Sequence, residues 1–133
     1  MRKIHSATWL STGLIGASLL SLALAAEPIN GWKSIRGAIY LIHGGSLADR
    51  QAATVSDRKL SILVDGPPAK EIFDAIGPDL PDACSGESGD RARDKKGVYC
   101  SYSVQDRASK EGPYRCWIGI DLRTGDRVGT VGC

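Results

Sequence analysis

Four cysteines, Cys84, Cys100, Cys116 and Cys133, all fall in the last 50 residues of a 133-residue chain and constrain its fold more than any other feature. Their spacings of 16, 16 and 17 contain no CxxC pair and no adjacent histidine, which argues against zinc. In an oxidising compartment an even count reads as two disulfides. The question therefore passes to where the chain is delivered.

Its first residues answer that. Met1-Arg2-Lys3 is a short basic start, Leu14, Ile15, Leu19, Leu20, Leu22 and Leu24 form an apolar stretch, and no acidic residue precedes Glu27. Ala23-Leu24-Ala25 offers the small residues a signal peptidase inspects, so residues 1–25 are expected to be a cleavable export signal. The apolar part falls short of the roughly 20 residues of a spanning helix, so no stable membrane anchor is expected after cleavage. Arg2 and Lys3 also carry the whole formal excess of +2. Without them the domain of residues 26–133 is neutral, which disfavours nucleic acid as a partner. Export to the periplasm or beyond is the expectation.

Hydrophobic patterning then divides the domain. Residues 36–43 (RGAIYLIH) form a compact apolar run ended by Gly44-Gly45, and residues 59–64 (KLSILV) alternate; both suit strands. Residues 46–57 fit a short helix or an irregular hairpin arm equally well. Pro67-Pro68 followed by Ala69, Ile72, Phe73 and Ile76 at helical spacing, with Gly77-Pro78 as a stop, predicts one helix lying on a sheet. Residues 85–97 (SGESGDRARDKKG) read as a solvated loop, with Ala92 the only apolar residue. Strands are expected at 98–104, 114–122 and 127–131. The fold class is α+β: an antiparallel sheet of about five strands, one main helix on one face, and two disulfides.

The last hairpin suggests a pairing. A two-residue turn at Thr124-Gly125 sets Cys116 opposite Cys133 and Ile118 opposite Val131, in a register whose non-hydrogen-bonded pairs approach to about 4.5 Å. Cys84 would then bond Cys100 and close the polar loop, an effect of roughly 3 kcal/mol. A turn of another length would move the register.

No set of residues spells out catalysis. Leu41-Ile42-His43-Gly44-Gly45-Ser46 is like an oxyanion loop, but no GxSxG follows, and His43 is the only histidine left once the signal is removed. A strand-ending turn with a satisfied or surface histidine is the expectation. Asp65, Asp74, Asp79 and Asp82 stand at turns and helix ends, as acidic residues commonly do. No metal or cofactor is implied. The densest charge, Arg91, Arg93, Lys95 and Lys96, is interleaved with Glu87, Asp90 and Asp94. Beside it lie Tyr99, Tyr102, Tyr114 and Trp117, with Tyr99 and Trp117 on the opposite face from Tyr102 and the cysteines. Arginine and aromatic side chains together are what binding surfaces favour, so these eight are the candidate contact residues.

An exported, disulfide-bonded domain of about 100 residues without catalytic machinery shares its plan with periplasmic inhibitors of lysozyme-like enzymes and with immunity proteins. The expectation is thus a non-enzymatic envelope protein that binds another protein, inside the envelope or outside the cell. A small secreted hydrolase or toxin working through His43, and an envelope structural or stress protein, are the alternatives.

Overall fold

A computed structural model describes residues 31–129. The expected signal and Cys133 lie outside them. Eight elements follow one another: β1 (Ala38–Gly45), β2 (Arg50–Gln51), β3 (Lys59–Asp65), α1 (Gly66–Ala75), β4 (Arg91–Lys95), β5 (Val98–Tyr102), a 3-10 turn (Gln105–Ala108) and β6 (Tyr114–Asp121). The strands make one antiparallel sheet in the order β2-β1-β3-β6-β5-β4, with α1 the single α-helix among the described residues. The expected α+β class is therefore correct, with six strands.

Strand β3 passes into α1 without a loop because Gly66, at φ +70°, takes a backbone conformation that a side chain would disfavour. Asp65 is the N-cap, yet its side chain makes no capping bond. Its carboxylate instead accepts 2.6 Å from Arg115 Nε, directly across the β3–β6 ladder. Further on, Ala69 and Phe73 are fully buried against Val64, Cys100 and Cys116, with Ile62, Ile72, Ile76, Val98, Tyr102 and Tyr114 packed around them. Alternation puts all these strand residues on one face, the helix face.

Two expectations fail here. Residues 91–95 are strand, not loop: Lys96 (φ 46°) and Gly97 (φ 92°) form a two-residue turn with both φ positive, pairing Lys95 with Val98. The other failure is the disulfide pairing. Cys100 is bonded to Cys116, with Cα atoms 4.1 Å apart, so neither Cys84–Cys100 nor Cys116–Cys133 forms. The physical reason is register. Ser103 N bonds Pro113 O and Gly119 N bonds Gly97 O, so odd-numbered β5 residues are the hydrogen-bonded ones and Cys100 faces Cys116 in the closer kind of pair. Past β6 the turn is longer than two residues: Ile120 faces Arg127, where a two-residue turn would set it opposite Gly129. That single bridge stands where a strand was expected from residue 127. Cys84 is not free either.

The ambiguous segment 46–57 holds only β2, which pairs Arg50 and Gln51 with Gly45 and Gly44. No helix of the described residues is long and apolar enough to cross a membrane.

Candidate functional site

The arginines expected to face a partner are turned inward. Arg91 Nε and Arg93 Nε donate to the two oxygens of Asp79 at 2.7 and 2.6 Å, and Arg93 Nη1 donates to the Phe73 carbonyl at 2.6 Å. Both guanidinium groups lie over the Phe73 ring, at 5.1 and 4.1 Å from its centre. Here β4 uses charged side chains as packing: their planes cover an aromatic ring while their edges meet a carboxylate and the last turn of α1. Arg91, and after it Arg93, holds the Asp79 carboxyl below the usual range. These two arginines clamp the helix to the sheet. Lys95 and Lys96 remain exposed at the hairpin tip. There Lys96, Asp94, Tyr99 and Arg127 rim a polar cleft of about 320 Å³.

The four aromatics separate by face, as alternation requires. Tyr114 meets Phe73 edge-on at 5.3 Å and Tyr102 at 5.0 Å, completing the helix-side core, and Arg107 Nε caps the Tyr102 hydroxyl at 2.6 Å. On the other face Tyr99 is buried, its hydroxyl 3.0 Å from Cys84 Sγ, because segment 77–90 crosses that end of the sheet and pairs Leu80 N with Ala92 O. Desolvation, and secondarily the charge of Asp94, raises the Tyr99 phenol above the ordinary tyrosine range.

Trp117 is the exception. Half-buried and 5.7 Å from the Tyr99 ring, it floors the open face and lines two concavities. One, of about 270 Å³, is walled by Ala83, Cys84, Ser85 and Ser101. The other, of about 220 Å³, is walled by Ile39, Leu41, Leu47, Ser61 and Leu63 and is largely apolar. Of the eight candidate residues, the structure thus leaves Trp117 on a concave apolar surface and Lys95 and Lys96 on an exposed tip; the other five make contacts within the fold, and Arg91, Tyr99 and Tyr102 among them also line the concavity of about 270 Å³. The aliphatic wall of the groove was missed by sequence reasoning. Its signal is the run Ile39 to Ile42, which is apolar at every position although only one face of the sheet carries a helix.

His43 is buried, with both ring nitrogens engaged. The Gly44 carbonyl, 3.0 Å from Nδ1, can only accept, so Nδ1 carries a hydrogen; Nε2 is hydrogen-bonded to the Ser61 hydroxyl at 2.9 Å. No carboxylate bonds the ring. Nearby Asp57 accepts from Gly45 N at 2.7 Å and from Lys59, and its carboxyl lies below the usual range, held there by Lys59 first and Gly45 second. The pattern holds a strand end in place: the His43 turn, β2 and the 54–57 turn are tied through Gly45. Among the described residues no cluster of His, Cys, Asp and Glu could hold a metal, and no buried side-chain polar atom lacks a partner.

No protein family, curated protein or solved structure matches this chain.

Proposed function

We propose that the chain is a non-enzymatic binding protein of the bacterial cell envelope, an inhibitor or immunity protein that occludes a cell-wall hydrolase or a rival's toxin. One observation carries the reading: the apolar groove around Trp117 lies open while the buried polar groups beside it are satisfied among themselves. Such a surface offers a place to insert an apolar or aromatic side chain and no reactive group to act on it. The contact surface of this reading is narrower than the one the sequence suggests, since Arg91, Arg93 and Tyr99 already have partners within the fold. Trp117 is its centre, and the exposed Lys95 and Lys96 tip is a polar flank.

Affinity capture from an envelope extract tests this. The wild-type chain retains one protein stoichiometrically, and Trp117→Ala, still folded by circular dichroism, loses it. Equal capture by both would overturn the reading. Absence of any stoichiometric complex would favour the structural or stress role.

A hydrolytic reading rests on the His43–Ser61 pair, because Ser61 lines the same groove. Against it, Ser61 sits mid-strand with its amide turned to β1, so no adjacent amide is free to stabilise an oxyanion. Labelling by an active-serine phosphonate probe, abolished in Ser61→Ala, would be its signature; the binding reading expects none.

A further inference from the structure

Both edges of the sheet end in a short stretch of backbone, and they are treated in opposite ways. At the β4 edge the side chains are Arg91, Arg93, Asp94 and Lys95 around one alanine, and the outward carbonyl of Ala92 already accepts from Leu80 N. Charge and a covering segment are the usual protection against strand addition. Among the described residues the β1 edge has neither. Ala38–Gly45 carries no charged residue, and Ile39, Tyr40, Leu41 and Ile42 are 64, 74, 41 and 49% exposed.

Register identifies which backbone groups of β1 are open. Leu122 N bonds Arg58 O in the β3–β6 register, so even-numbered β3 residues bond toward β6 and odd-numbered ones toward β1. In the β1–β3 register the odd β3 residues meet Ile39, Leu41 and His43. The N–H and C=O groups of Ala38, Tyr40 and Ile42 therefore point away from the sheet. Gly44, next in that series, is where β2 pairs, as the alternation requires. Among the described residues nothing pairs with the other three.

We infer that this edge joins a second copy of the chain, β1 against β1 in antiparallel register about a two-fold axis at Tyr40. The occupant follows from three features. The open stretch is bounded by Gly37, whose φ of +83° ends the strand, and by β2 at Gly44, which centres it on Tyr40. In that register Tyr40 pairs with Tyr40 of the second copy and Ala38 with Ile42, each through outward-pointing amides. Ile39 meets Leu41 on the open face, so the apolar side chains cover one another. Finally, the guarded β4 edge blocks β1-to-β4 addition, which would propagate without end. Only the self-complementary contact is left, and it closes after two copies. The result is a sheet of twelve strands with the two Trp117 grooves on one side of it. This inference uses the edge and does not depend on what the groove binds.

Sedimentation of the exported, disulfide-bonded chain tests it. Wild type sediments as a dimer. Tyr40→Pro removes an outward N–H that β3 does not use, a substitution an edge strand tolerates, and weakens the dimer by roughly tenfold or more through its lost pair of backbone bonds. Ile42→Lys, on a half-exposed side chain, gives monomers by setting a charge in the seam. Adding Ala38→Glu to it restores the dimer, because residue 38 faces residue 42 of the second copy in this register and in no neighbouring one. A monomeric wild type, or a dimer untouched by both single substitutions, overturns the inference; a dimer lost in Ile42→Lys but not restored by Ala38→Glu overturns the register. Partner capture by Ile42→Lys keeps the two proposals separable, since Ile42 does not line the groove.

Discussion

One sheet presents two faces built on different physics. The helix face buries Val64, Ala69, Phe73, Cys100 and Cys116 completely, and its order comes from apolar close packing and one covalent bridge. The open face buries His43, Ser61, Ala92 and Tyr99 by pairing polar groups and by a crossing segment, and it leaves Trp117, Ile39 and Leu41 in contact with water. Burial on the first face is continuous from β3 through β6 to β5; on the second it is local and leaves the groove between patches. A small domain with one short helix can close only one side of its sheet, and the uncovered side is the part available for contact.

Substitutions can break this contrast, beginning with the largest effect. Phe73→Ala removes the ring on which the helix, Tyr114 and both arginines converge, and unfolding in urea should show a loss of about 3–5 kcal/mol. Arg93→Ala deletes the charged donor to the Phe73 carbonyl and is expected to cost about 1.5–3 kcal/mol. An equal loss for Phe73→Ala and Trp117→Ala would show that the open face is as tightly packed as the other. Ser61→Ala conserves volume nearly but strips His43 Nε2 of its hydrogen-bond partner, at about 1–3 kcal/mol.

Acid provides a smaller, distributed test. Asp79, Asp74 and Asp57 are held below the ordinary carboxylate range, first by Arg91, Lys70 and Lys59 respectively. A carboxylate with a lowered folded pKa contributes stability that is complete above the unfolded value of about 3.9 and is lost as pH falls through the folded value. Urea midpoints should therefore be level between about pH 5 and 7 and fall below about pH 4, with a shallower fall in Asp79→Asn. In alkali the sign reverses. The raised Tyr99 phenol favours the folded state until pH climbs through its folded value, and tyrosinate absorbance should show a component above the ordinary range of about 10.

How much of this was legible depended on whether side-chain chemistry agreed with position. β3, α1 and β6 were readable because KLSILV, the Pro-Pro start and YRCWIGID carry their period openly. β4 was not, because Arg91-Ala92-Arg93-Asp94-Lys95 looks like a solvated loop unless Phe73 is known to lie beneath the arginines. The signal for it was the Lys96-Gly97 turn and the lone Ala92, which is buried. Disulfide pairing failed for a related reason: the same strand, β6, had two possible neighbours for Cys116, and turn chemistry at one end said nothing of the β5 ladder at the other. Arg91, Arg93 and Tyr99 suggest contact by residue type, and type does not reveal that Phe73, Asp79 and Cys84 engage them. Non-reduced peptide mapping should recover the peptides of Cys100 and Cys116 linked to each other.

Both sulfurs of the Cys100–Cys116 bridge belong to fully buried residues beneath α1. A soluble oxidant cannot reach them in the finished molecule, so the bond has to close while the hairpin is still uncovered, and the helix docks over it afterwards. The same lid then excludes reductants. Once assembled, the hairpin stays stapled in a reducing medium for as long as the fold stays shut, and the rate at which a thiol reagent opens it becomes a clock for how often α1 lifts away.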